Sequence, residues 1–367
     1  MEFILSSKDG FTLLRKYRNC LMGFASLCIL FFHTYCKMFA DKSFWFWEDY
    51  LKQISFFGVD IFFFLSGLGL FFSIQSHSVL RFYYHRFRRL VIPVVIVGLL
   101  HYVTDDWTIS HLLRNISGIN FYTEVIYSFL WFVPAIATLY LIFPLYYRLF
   151  SASSNKIAFT MIILVLWFLV SLALSDKLRF DLYGFTNRIP IFCVGCLAGY
   201  LSQQRTYVFS RSVWILLILT LILGLYLGYL VIYRDMPLLV LSPDCCMPTF
   251  CIAVSISFLL PKSLDLMHNI PVLKPVEGAL VRVFGFYGMI SFELYCIQEW
   301  FFELVGPWLF RNIPVALKIN AISFISITVL GIVLWLIQKA FWIFVTKIFS
   351  VFRKPTSVNS KDMDVSA

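Results

Sequence analysis

An imidazole, two carboxylates and a group of guanidiniums stand in segments that are otherwise hydrocarbon. The stretch RNCLMGFASLCILFFHTYC, starting at Arg18, carries His33 as its one ionisable interior residue. Ionisable groups in such runs are costly and default to functional hypotheses. At about 100° per residue, Met22, Ser26 and His33 fall within roughly 20° of one line, with Arg18 about 60° away. The rise from Arg18 to His33 is about 22 Å, so one helix face has a cation at one end and an imidazole further along. The plain alternative is a histidine satisfied by a neighbouring helix. The next run, QISFFGVDIFFFLSGLGLFF, holds Asp60 among phenylalanines. It lies about 12 Å in from Lys52, and His33 about 6 Å in from Lys37, so the two can approach. An aspartate beside an imidazole fixes its tautomer and raises its basicity; the competing reading is an Asp60 that is neutral or paired with another helix. Gly58, Gly67 and Gly69 permit close helix approach there.

Four arginines follow in RFYYHRFRRLVIP: Arg81, Arg86, Arg88 and Arg89. Guanidinium forks grip phosphate bidentately, and Arg86 and Arg89, at i and i+3, share a helical face. Ordinary positive-inside anchoring explains such a cluster equally well. Further polar points are Trp131 with Pro134, Arg188, and Glu293 with Gln298. Glu293 lies nine residues into its run, about 14 Å deep, and needs a partner or a proton. Arg188 also reads as a snorkelling arginine at a span edge.

The elements that must position these groups follow from composition. Of 367 residues, 60% are apolar, 19% aromatic and 14% charged, against about a quarter charged in an ordinary soluble domain. The surplus apolar surface must face lipid, which predicts an all-α, polytopic transmembrane helix bundle. Ten spans of roughly 20 apolar residues are expected near 19–36, 53–73, 90–104, 127–147, 157–175, 189–203, 212–233, 247–261, 284–304 and 319–338. If the termini are cytoplasmic, the inner segments hold 20 of the 30 Lys and Arg residues, the bias expected of that orientation. Positive-inside loops also explain the net charge of +10 without nucleic acid as a partner. The expected divisions are a cytoplasmic segment 1–18, a membrane domain 19–347 and a disordered cytoplasmic tail 348–367. Arg15, Lys16 and Arg18 lead into an apolar run with no small-residue cleavage site, so no cleavable signal is expected. Cys193 and Cys196 form a C-x-x-C without a second pair or a nearby His and read as buried hydrophobes; no metal site is expected.

Taken in order, these segments resemble the membrane acyltransferase-3 family, integral-membrane acyltransferases of cell-surface sugars. The matching pieces are the G-x-A…FFH ending at His33, GVDIFFFLSG at 58–67, RFRRLVIP at 86–93, WFVPAIATLYLIFPL at 131–145, RIPIFCVGCLAG at 188–199 and ISFELYCIQ at 290–298. The resemblance implies about ten helices, an acyl-CoA donor taken from the cytoplasm (acetyl-CoA the expected one) and a hydroxyl acceptor on a glycan or lipid-linked sugar. It implies His33 as the catalytic histidine and Arg86 and Arg89 as the arginine motif before the third span, with no bound cofactor; the chemistry of acyl transfer fits His33 as base, Asp60 as its orienter, and Arg18, Arg86 and Arg89 on the donor's phosphates. Glu293, Arg188 and Trp131 are further candidates. Where the family often has arginine, eleven residues before the histidine, this chain has Met22; Arg18, one turn earlier, is the candidate substitute. Gln298 stands where many members carry His. With no glycosylation-rich exterior domain, the short chain fits a bacterial inner membrane. Two other classes remain: a transporter or flippase for a lipid-linked glycan, with His33, Asp60 and Glu293 as a proton path, and a structural partner in a glycan-synthesis complex. The oligomeric state and the acyl group are not set by the sequence.

Overall fold

The computed structural model describes residues 10–34, 45–124, 129–174, 180–204, 209–234, 246–313 and 315–352. Within them the chain forms helices α1 (Gly10–Lys16), α2 (Arg18–His33), α3 (Trp45–Ile54), α4 (Phe57–Ser76), α5 (Val79–Thr104), α6 (Ile109–Ile116), α7 (Ile119–Thr123) and α8 (Phe132–Ala152). They continue as α9 (Lys156–Leu174), α10 (Phe180–Thr186), α11 (Ile189–Leu201), α12 (Arg211–Arg234), α13 (Cys246–Asn269), α14 (Lys274–Met289), α15 (Ser291–Leu304), α16 (Gly306–Asn312) and α17 (Ala316–Phe352). Helix is what apolar runs of this length must form, because the bilayer leaves backbone N–H and C=O groups no partner outside the segment.

Among the described residues, seven helices are long and apolar enough to cross a bilayer, or eight if a bent pair counts as one span. The difference from the ten expected runs comes from three places. Helix α2 has 16 residues and α11 has 13, so at about 1.5 Å per residue both fall short of a 30 Å hydrocarbon core. The ninth run is broken: α14 and α15 meet at Ile290 with a 69° bend. The arginine segment, expected as a loop, is helical, since α5 starts at Val79 and carries Arg81 to Arg89 in its first turns. At the other end, α17 continues as helix to Phe352, through the boundary expected at 347. Residues 1–9 and 353–367, which hold most of the expected terminal segments, lie outside the described residues.

Helix α4 is the central element. The run Phe46–Ser76 is 78% buried over its most apolar window, against 11% for the runs containing α9 and α12, which present their sides to lipid. Close approach uses the glycines of α4. A Cβ on Gly67 would fall 2.1 Å from the carbonyl oxygen of Phe192 in α11, and one on Gly58 would fall 2.5 Å from that of Ala25 in α2. With no hydrophobic drive between helices in lipid, such backbone proximity is a main source of association. Helix α1 packs on α13, with Leu13 and Leu14 fully buried. Helix α2 lies between α4, α14 and α15, and α15 is flanked by both α2 and α5.

Candidate functional site

Arg18 opens α2, and Arg86 and Arg89 lie one turn apart on α5. The structure brings all three to one cavity of about 100 Å³, which continues past Met22 and Ile29 of α2 to Tyr140 of α8 and Tyr295 of α15. Nη2 of Arg86 donates to the carbonyl oxygen of Gly69, 3.3 Å away. Nη2 of Arg18 lies 3.2 Å from where a Cβ on Gly69 would sit, so the missing side chain leaves room for two guanidiniums side by side. Arg86 also lies over the rings of Phe82 and Tyr140, at 5.7 and 6.0 Å. The Nε atoms of Arg18 and Arg86 are buried without a hydrogen-bond partner. Among the described residues, no carboxylate lies within ion-pair distance of Arg18, Arg86, Arg88 or Arg89. Cations gathered this way, partly out of water and without counter-ions, form a site for an anion from outside the chain.

A second cavity of about 620 Å³ shares Arg18, Met22 and Arg89 with the first. Met22 and Arg18, one turn back on the same helix, line both spaces. Glu293 also faces the larger cavity from the first turn of α15, just after the bend, with Oε2 buried and without a partner. Gln298 is buried on the same helix.

The opposite end of α2 is organised differently. His33 is its last residue and is exposed. Its ring meets Phe32 edge-on at 5.2 Å and stacks on Phe302 of α15 at 6.2 Å, and it has no hydrogen-bond or ion-pair partner among the described residues. Ile29, at the limit of the smaller cavity, is one turn before it, about 6 Å along the axis. Among the described residues Asp60 makes no hydrogen bond or ion pair with His33, and the carboxylate meets a different group. Asp60, 2% exposed in the first turn of α4, faces Arg188, with Arg188 Nε 3.8 Å from its Oδ1. Nor is Arg188 a snorkelling edge residue: it is 0% exposed, donates from Nη1 to the carbonyl oxygen of Gly184 at 2.8 Å, and lies over the rings of Phe56 and Trp131 at 4.6 and 5.6 Å. A buried guanidinium cannot shed its charge as imidazole can, so it takes the carboxylate. Phe56, packed on Phe32 at 5.3 Å, stands between this pair and the end of α2.

An imidazole–carboxylate dyad does form at this end, around His101. Its Nδ1 is 2.5 Å from Oδ2 of Asp105 and 3.9 Å from Oε2 of Glu303. The ring is 3% exposed and stacked on Trp107 at 5.0 Å. Thr104 donates to the other oxygen of Asp105 and accepts from Trp300 Nε1. One ring nitrogen of His101 and one carboxylate oxygen each of Asp105 and Glu303 lie within 4.8 Å of one another, a grouping the sequence reading did not single out. The available signal was the i, i+4 spacing of His101 and Asp105. It was masked because both sit at the end of the expected third span, where polar residues are ordinary, and because Glu303 is distant in sequence. His101 follows Arg86 by 15 residues, the same separation as Arg18 and His33, and Glu303 directly follows the Phe302 that stacks on His33.

No curated protein and no solved structure matches the chain. The model of the acyltransferase-3 family, described as an acyltransferase domain, matches residues 16–338, which include every residue of the two cavities up to Gln338 and the whole histidine end. The chain therefore belongs to the acyltransferase-3 family.

Proposed function

We propose that this membrane acyltransferase takes acyl-CoA from the cytoplasmic side and transfers the acyl group, acetyl first among the candidates, to a hydroxyl of a cell-surface glycan or lipid-linked sugar. The observation that carries the reading is the set of unpaired arginines lining a cavity that runs along α2 to Ile29, one turn short of His33. The donor has the matching shape: a polyanionic head, a long thin arm and a thioester at its tip. Arg18, Arg86 and Arg89 hold the phosphates, and the narrow cavity takes the arm. His33, whose ring nitrogens make no hydrogen bond to the described residues, takes the proton of the acceptor hydroxyl. The hydroxyl oxygen attacks the thioester carbonyl, the C–S bond breaks, and the sulfur leaves on coenzyme A and recovers the proton from the imidazolium. Exclusion of water along the arm suppresses hydrolysis of the thioester. Asp60 serves this site indirectly, by neutralising Arg188 beneath Phe56 and Trp131. The bacterial inner membrane, with the termini in the cytoplasm, suits a donor that enters at the arginine end.

The test is mass spectrometry of surface glycans from cells with and without the gene, paired with acyl-CoA turnover by the purified protein in liposomes. A mass difference of one acyl group together with release of free coenzyme A thiol is the expected outcome. Unmodified glycan crossing the liposome membrane under a proton gradient, without thiol release, would favour the transporter reading instead.

A further inference from the structure

The larger cavity has a wall that the acyltransferase motifs do not supply. It comes from α17, largely beyond residue 338, where both the expected tenth span and the family match end. Trp335, Gln338, Lys339, Trp342 and Thr346 fall on one stripe of that helix by their spacing of three, four, seven and eleven residues, and all of them line the cavity. Gln338 Nε2 donates to the carbonyl oxygen of Arg89 at 3.0 Å, which docks the stripe against the arginine turn of α5. Arg88 lies over the ring of Trp342 at 4.6 Å, and Nζ of Lys339 over Trp335 at 4.8 Å. Cation–π contact holds a cation in place without neutralising it, so both remain available to an anion. Around this space stand five basic side chains and one carboxylate, Glu293. A donor and an acceptor there lack partners: Trp342 Nε1 and Glu293 Oε2 are both buried without a hydrogen bond.

Resting on the acyl-CoA reading, we propose that this cavity is the subsite for the phosphorylated nucleoside at the head of the donor, with Lys339 and Trp342 as donor-binding residues. The size supports the division of labour. At about 620 Å³ the cavity is in the range of sites for drug-sized ligands, about 300–1,000 Å³, whereas the neighbouring one, about 100 Å³, admits only a thin arm. The indole rings supply aromatic surface for a base, which stacks on such rings irrespective of its identity. The unpaired indole N–H and carboxylate oxygen supply the hydrogen bonds of a ribosyl phosphate or an exocyclic amine. A phospholipid headgroup shares the phosphate chemistry but has no base to use the two indoles.

The experiment measures binding of coenzyme A, adenosine 3′,5′-bisphosphate and pantetheine to the full-length protein in nanodiscs, for the wild type and for Lys339→Ala and Trp342→Ala, with melting temperature as the check on folding. Each substitution is expected to weaken binding of coenzyme A and of the bisphosphate about tenfold, as for loss of one charge-assisted hydrogen bond, and to leave pantetheine binding unchanged. In turnover the same variants raise KM for the donor at constant kcat. Equal affinity of the wild type and a folded double variant for coenzyme A overturns this inference while leaving the acyl-CoA reading intact; a wild type that binds no coenzyme A overturns both. Loss of co-purified phosphatidylglycerol from the variants with coenzyme A affinity retained assigns the cavity to a lipid headgroup and also overturns it.

Discussion

The two ends of α2 solve the problem of charge in a membrane protein in opposite ways. At the histidine end the buried polar side chains have partners inside the chain: Asp60 faces Arg188, and His101 faces Asp105. At the arginine end Arg18, Arg86, Arg88 and Arg89 gather round two cavities with no carboxylate in ion-pair range among the described residues. Paired charges satisfy each other and hold helices in register. Unpaired ones keep a standing demand for an anion. The contrast separates scaffold from machinery better than residue type does, since arginine appears in both roles. His33 is the exception at its own end: an imidazole packed on Phe32 and Phe302 with no polar partner among the described residues.

If that exception is the catalytic base, its removal has the largest effect in the molecule. His33→Ala is expected to lower kcat by a factor of about 10²–10⁴, the usual worth of a general base, with membrane insertion and melting temperature unchanged. Glycan acylation measured in cells expressing equal amounts of protein checks this, and wild-type levels of acylation would remove the assigned base. The next largest effect is on folding. Arg188→Met removes the guanidinium that faces the buried Asp60 and is expected to destabilise by about 3–5 kcal/mol. Adding Asp60→Asn, which removes the stranded charge, is expected to recover much of that loss in a detergent melting curve. A single variant as stable as the wild type would show that the pair is not what neutralises Asp60.

Much of this contrast was legible before any coordinates. The face shared by Arg18, Met22 and His33 follows from helical period alone, and so does the pairing of Arg86 with Arg89, because both depend only on local geometry. The glycines of α4 were legible for the same reason. Partners from distant segments were not. Asp60 lay at a plausible depth for His33, but depth along one axis says nothing about rotation, and Arg188, 128 positions later, is a stronger counter-ion. The break at Ile290 carries no proline or charge to mark it. The continuation of α17 was hidden because Lys339 and Lys347 look like the end of a span, whereas in the structure Lys339 and Trp342 turn towards a cavity.

The arginine end yields smaller, graded predictions. Arg18→Ala is expected to raise KM for the donor by about tenfold to a hundredfold, since it removes a charge common to both cavities. Placing arginine at the neighbouring family position, as Met22→Arg in the Arg18→Ala background, is expected to restore most of the affinity. Failure of that rescue, in a folded double variant, would mean that Arg18 acts by another route. Arg86→Ala is expected to raise the same KM by about tenfold with kcat unchanged, the signature of lost uniform binding. An unchanged KM would return Arg86 to the role of a membrane anchor.

The smallest effect tests whether the second dyad belongs to the scaffold or to the chemistry. His101 is 3% exposed, clamped between Asp105 and the ring of Trp107, so acceptor hydroxyls have little access to it. Asp105→Asn keeps the shape and one oxygen while removing the charge. On a scaffold role it is expected to lower the melting temperature by a few degrees, corresponding to about 1–2 kcal/mol, and to leave kcat, the pH profile of turnover and donor KM as they are. A loss of kcat comparable to that of His33→Ala would instead make the histidine end a two-imidazole site. The helix carrying Phe302 and Glu303 would then be the element that brings the two rings to bear on one acceptor.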